Sequence, residues 1–180
     1  VSAGVPGWRD ARRLSAALAC AWFGLQAGVA GLGTPSVFAV LPAPQAGPVV
    51  GRMLGAEATA AIVIGGVLIV LERLVGRDAA ARGTGRAFSV ELALALGAVF
   101  CVVVGHYALQ PWFEQARAGR GPLSFGQLHA LSVAFYGLKL VLVGALAWRA
   151  IGRLGRTARP PPGTAATGPG GVSPPTASSG

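Results

Sequence analysis

The chain has 180 residues, 53% hydrophobic and 12% charged, with a formal net charge of +9. A soluble domain covers itself with about a quarter charged residues, so this composition excludes a soluble enzyme and places the chain in a lipid bilayer. The basic excess sits beside long apolar runs, which makes it a topology signal against anionic lipid, and no nucleic-acid partner is expected.

No charged side chain occurs between Leu14 and Gly51, and residues 14–32 are apolar enough to form a first span across about 30 Å of hydrocarbon. Arg12 and Arg13 imitate the start of a signal peptide, and the residues before Cys20 imitate a lipoprotein box. The apolar run continues well past either cleavage point, so an uncleaved anchor is expected. Thr34, Pro35, Pro42, Pro44 and Pro48 follow. Proline lacks the amide donor and clashes with the preceding turn, so an outer loop or re-entrant elbow is expected from Pro35 to Pro48.

A second span is expected over residues 52–71, stopping at Glu72-Arg73, a third over 88–109, stopping before Pro111, and a fourth over 125–148. Trp8, Trp112 and Trp148 fall at or beyond span ends, where amphipathic rings favour the headgroup region. Residues 1–13 form a short N-terminal segment. Beyond residue 150 a tail begins that loses all charge after Arg159, and its Pro, Gly, Ser, Thr and Ala composition predicts that most of it is disordered.

Eleven of the fifteen basic residues lie in the N-terminal segment, the loop carrying Arg73 to Arg86, and the segment from Arg149 to Arg159. The remaining two loops hold Arg52, Arg117 and Arg120, while Lys139 lies inside the fourth span. The positive-inside rule then puts both termini in the cytoplasm. The expected fold is an all-α integral membrane four-helix bundle.

The familiar phosphate-cradling, metalloprotease and nucleophile-elbow motifs are missing, so no catalytic residue is assigned and a non-enzymatic role is expected. Small residues at Gly24 and Gly28, Gly51 and Gly55, and Gly97, Cys101 and Gly105 read as helix-packing positions, which also offer faces for a homo-oligomer. Cys20 and Cys101 read as buried small hydrophobes with no disulfide between them. Ionisable groups inside spans are costly and must find partners, and five qualify: Glu57, Glu91, His106, His129 and Lys139. On span four, His129, Ser132, Tyr136 and Lys139 share one face and form a polar stripe toward the bundle interior. That stripe reads either as interhelical hydrogen bonding or as part of a site. His106 and His129 fall at similar depth, and with Glu57 they could ligate a haem iron, copper or zinc. Lys139 is expected to meet Glu91 as a neutralising pair.

Several strings carry a resemblance: Trp22-Phe-Gly24 with Gly28, Thr34-Pro35-Ser-Val-Phe38, Ala46 to Arg52, Gln110-Pro111, and Phe125-Gly-Gln-Leu-His129-Ala-Leu-Ser132. Together, over about residues 14–150, they resemble the bacterial four-span proteins similar to transmembrane protein 205. The resemblance implies a small multi-pass protein of the bacterial inner membrane of largely unassigned role. Its eukaryotic relatives are associated with tolerance to platinum drugs, which implies export or metal handling. It carries over Pro35, Phe38, His129 and Ser132 as motif positions and no catalytic residue. The expected role is support of transport of, or tolerance to, metals or drugs. The alternative is a haem- or copper-binding redox protein using His106 and His129, loosely like copper-resistance membrane proteins.

Overall fold

The computed structural model describes residues 7–157 of the chain. The expected disorder of residues 160–180 falls outside the described residues, as does the side chain of Trp8. All described regular structure is helical: α1 (Trp8–Gly28), α2 (Thr34–Val40), α3 (Ala43–Ala81), α4 (Val90–Val102), α5 (Gln110–Arg117) and α6 (Phe125–Thr157). Two wide, π-type turns, Val29–Gly33 and Val103–Ala108, join α1 to α2 and extend α4. Four stretches, Asp10–Val40, Ala43–Ala81, Val90–Arg117 and Phe125–Gly155, are long and apolar enough to cross a membrane. The chain is therefore a multi-pass membrane protein.

The expected elbow from Pro35 to Pro48 is not present. The helix runs on to Val40 and breaks only at Leu41 and Pro42, and α3 starts at Ala43 with Pro44 in its first turn and Pro48 inside it. Proline in a helix clashes with the carbonyl four residues back; for Pro35 and Pro111 that carbonyl belongs to Gly31 and Tyr107, both inside a wide turn. The wider turn accommodates the ring, and the Thr34 hydroxyl donates to the Val29 carbonyl at 3.0 Å. Span three likewise continues past Pro111 as α5, and span four continues to Thr157 rather than ending near Trp148.

Local sequence sets the other ends. Ser89 caps α4 by accepting from the Leu92 amide at 3.1 Å. Ser124 and Gln127 open α6 with a reciprocal capping box, at 2.9 and 3.3 Å. Gly83 and Gly119, with φ of 68° and 69°, close α3 and α5 in the left-handed conformation that lets the following amides reach back to the last turn.

In the bundle, α1 packs against α3 and α6, and α4 packs against the same two, so α3 and α6 face each other across a diagonal. These are the longest helices, of 39 and 33 residues, or about 58 and 50 Å at 1.5 Å per residue. Side-chain pairings show α3 and α6 running one way and α1 and α4 the other. The core of Ala19, Trp22, Ala61, Leu68, Ala95, Ala98, Val143 and Leu146 is rich in alanine, which lets the helices approach closely. An added Cβ at Gly105 would lie 2.5 Å from the Phe135 Cβ, so only glycine permits that approach of α4 to α6. Valines at 63, 67 and 70, Phe100, Val141 and Trp148 face outward, as a lipid-facing surface requires. A Cβ added at Gly24 or Gly28 would meet nothing within 4 Å, so neither marks a close helix approach inside the bundle. Cys20 is exposed rather than buried, whereas Cys101 is buried, and both are free thiols.

Candidate functional site

The centre of the molecule is an ion pair. The Lys139 ammonium donates to both carboxylate oxygens of Glu57, at 2.8 and 2.7 Å, and the two side chains are 4% and 2% exposed. Glu57 and Lys139 each fall fourteen residues beyond the first residue of their helices, Ala43 and Phe125. Their hydrogen bonds put them at one depth, and since α3 and α6 run in the same direction, the two helices also start level. The pair spans the bundle diagonal, between α1 on one side and α4 on the other.

This corrects the expected Glu91–Lys139 pair. Glu91 sits in the first turn of α4, near the opposite end of the bundle, where Arg149 donates to it at 3.1 Å and Arg153 lies 3.6 Å away. The expectation placed Lys139 too near that end by taking Trp148 as the limit of span four, and placed Glu57 too near the outer surface by starting span two at residue 52.

Beside the pair lies a cleft of about 40 Å³, lined by Leu54, Glu57 and Ala58 from α3, Cys101, Val102, Gly105 and His106 from the α4 side, and Ser132, Tyr136 and Lys139 from α6. A cavity needs about 10–15 Å³ to hold one water, so this one has room for a few. The wide turn Val103–Ala108 brings His106 to the cleft, next to Gly55, and such turns recur where helices carry sites. The Ser132 hydroxyl donates to the Gly105 carbonyl at 3.1 Å, and the Tyr136 hydroxyl donates to the Gln26 carbonyl at 2.8 Å. A hydroxyl has one proton to give. Both are committed to the backbone, so toward the cleft these groups offer lone pairs alone, beside the Glu57 carboxylate. The Lys139 ammonium also lies 4.1 Å from the centre of the Tyr136 ring, a cation–π distance.

Three members of the expected stripe, Ser132, Tyr136 and Lys139, thus meet at one site. His129 does not join them: it is exposed, and its ring stacks on Phe125 with centroids 6.3 Å apart. The expected set of Glu57, His106 and His129 is not assembled. Among the described residues no group of three or more histidine, cysteine or acidic side chains is placed to hold a metal. Of the two histidines named for the haem or copper alternative, His106 lines the cleft and His129 does not. Pro35 and Phe38 lie exposed on α2, away from the cleft.

Sequence reasoning missed Gln26. Its side chain is fully buried, and neither end of its amide finds a hydrogen-bond partner; the Trp22 indole one turn earlier is also buried and unpartnered. The signal is present in the sequence, since Gln26 is the one amide in an otherwise apolar span. A second polar cluster was also missed. Glu72 is 1% exposed and accepts from the Ser15 hydroxyl and from Arg153 at 3.0 and 3.3 Å.

The sequence profile described as Domain of unknown function (DUF4149) matches residues 17–122, more than half of the chain. The chain belongs to this family. The DUF4149 match covers Glu57, Cys101 and His106 and ends before α6, which supplies Ser132, Tyr136 and Lys139. Searches of curated proteins and of solved structures return no match to the chain.

Proposed function

We propose that this protein is a non-enzymatic, multi-pass protein of the bacterial inner membrane, with both termini cytoplasmic, that supports transport of, or tolerance to, small cationic solutes. The observation that carries this reading is the Glu57–Lys139 pair beside its cleft. A charged pair at such depth is costly to insert, and a bundle that needed only packing would be as well served by apolar side chains. Beside the Lys139 ammonium and His106, the cleft presents a carboxylate and two hydroxyls whose protons are already committed, groups that would bind a cation able to take the place of Lys139 on Glu57. Lys139 is the built-in counter-ion that keeps the empty site neutral.

The resemblance to the transmembrane protein 205-like proteins supports the same reading, since relatives of that group are tied to drug tolerance. The basic residues at the α1 start, the α3 end and the α6 end share one end of the bundle, which supports cytoplasmic termini. The open face at Gly24 and Gly28 supports self-association of the chain.

The test is uptake of labelled methylammonium and of rubidium into proteoliposomes carrying the full chain. Uptake above that of empty liposomes, lost in a Glu57→Gln variant that still purifies as a single folded species, is the expected result. Uptake equal in wild type, variant and empty liposomes defeats the reading.

A further inference from the structure

The cleft and the basic end are linked by the two longest helices. From Glu57 to Glu72 on α3 is fifteen residues, and from Lys139 to Arg153 on α6 fourteen, so two diagonal ion pairs stand about 21–22 Å apart along the bundle. The lower pair is part of a network to which all four long helices contribute: Ser15 of α1, Glu72 of α3, Glu91 of α4, and Arg149 and Arg153 of α6. Between the network and the cleft the interior is filled by Leu68, Ala95, Ala98, Val143 and Leu146, all buried.

We propose that this network is the closed gate of the transport path, holding the Glu57–Lys139 cleft shut toward the basic end of the bundle. The inference rests on the transport reading above. Its physical ground is partner redundancy. Arg153 contacts both Glu72 and Glu91, Glu72 holds Ser15 as well as Arg153, and Glu91 holds Arg149 as well as Arg153. When α3 and α6 part, Arg153 keeps Glu91, and Glu72 keeps the Ser15 hydroxyl, a neutral donor that lowers but does not cancel the cost of losing the guanidinium. The Glu57–Lys139 pair is one-to-one and has no such exchange available. The other end of the bundle is built differently: both wide turns, Val29–Gly33 and Val103–Ala108, interrupt helix regularity there.

Cys101 lines the cleft and serves as a native reporter. In a Cys20→Ser background, sealed vesicles of the two orientations receive a membrane-impermeant maleimide, and labelling of Cys101 is followed from each face. In the wild type, Cys101 is protected from the basic face. The paired variant Glu72→Gln with Arg153→Gln removes both charges of the diagonal tie together, and labelling from the basic face becomes several-fold faster. Arg153→Lys retains protection. Should the paired variant fail to purify as a folded species, Ser15→Ala and Arg149→Gln each remove one arm of the network and give intermediate labelling. Labelling from the basic face that is unchanged in every folded variant overturns the gate, as does wild-type labelling from that face as fast as in the paired variant. Failure of the transport reading is seen separately, as absent cation uptake in the wild type.

Discussion

Two ion-pair regions bridge the same two helices, and they are built on opposite principles. At the cleft, one carboxylate meets one ammonium in a bidentate contact, with side chains 4% and 2% exposed. At the basic end, two carboxylates, two guanidinium groups and a hydroxyl share contacts, and Arg149 is 48% exposed. A buried one-to-one pair loses everything when one member goes, because the survivor is an uncompensated charge in a low-dielectric interior. A shared and partly hydrated network can lose a member and re-form. The first arrangement suits a site whose occupancy matters, the second a contact that must open and close.

The largest expected effect breaks the first region. Glu57→Gln or Lys139→Met alone should destabilise the bundle by about 3–5 kcal/mol, the usual range for removing one partner of a buried pair. Thermal unfolding in detergent checks this. Replacing both, as Glu57→Leu with Lys139→Leu, should recover most of that stability while leaving no cation uptake, which separates the pair's functional role from its structural one.

Next in size is the helix approach that holds the cleft together. Gly105→Ala forces a methyl group against Phe135 and should cost about 1–3 kcal/mol, as overpacking generally does. Phe135→Leu in the same chain should relieve part of it. At the basic end, Arg149→Gln should shift stability by less than about 1 kcal/mol, since a half-exposed ion pair contributes little. A shift at Arg149 as large as that at Lys139 would erase the contrast between the two regions.

At Gln26 the expected change has the opposite sign. Its unpartnered buried amide opposes folding, at about 1–3 kcal/mol for an unsatisfied group, so Gln26→Leu should leave stability unchanged or raise it. Reduced cation uptake in that stable variant would place Gln26 in the transport path.

Much of this was legible in the residues. The four spans, the clustering of basic residues and the shared face of Ser132, Tyr136 and Lys139 follow from apolar run lengths and a 3.6-residue period, both local properties. The elbow expected from Pro35 to Pro48 is replaced by helix because a wide turn relieves the clash at Pro35, and Pro44 falls in the first turn of α3, where no amide donor is needed. Glu72 was read as a stop signal and Arg149 and Arg153 as topology signals, which hid their mutual contacts: a charge near a span end looks the same whether it faces headgroups or three other helices.

By itself, then, the sequence determined residence in the bilayer, helix number and which residues share a face of a given helix, because each is set within one segment by hydrophobicity and helical period. Tertiary structure alone decided which acid Lys139 meets and that His106 lines the cleft while His129 does not. Those outcomes depend on where each helix starts, how it is rotated and which helices lie across the diagonal. Residues 57 and 139 are 82 positions apart in the chain and become partners only because two parallel helices place them at one depth.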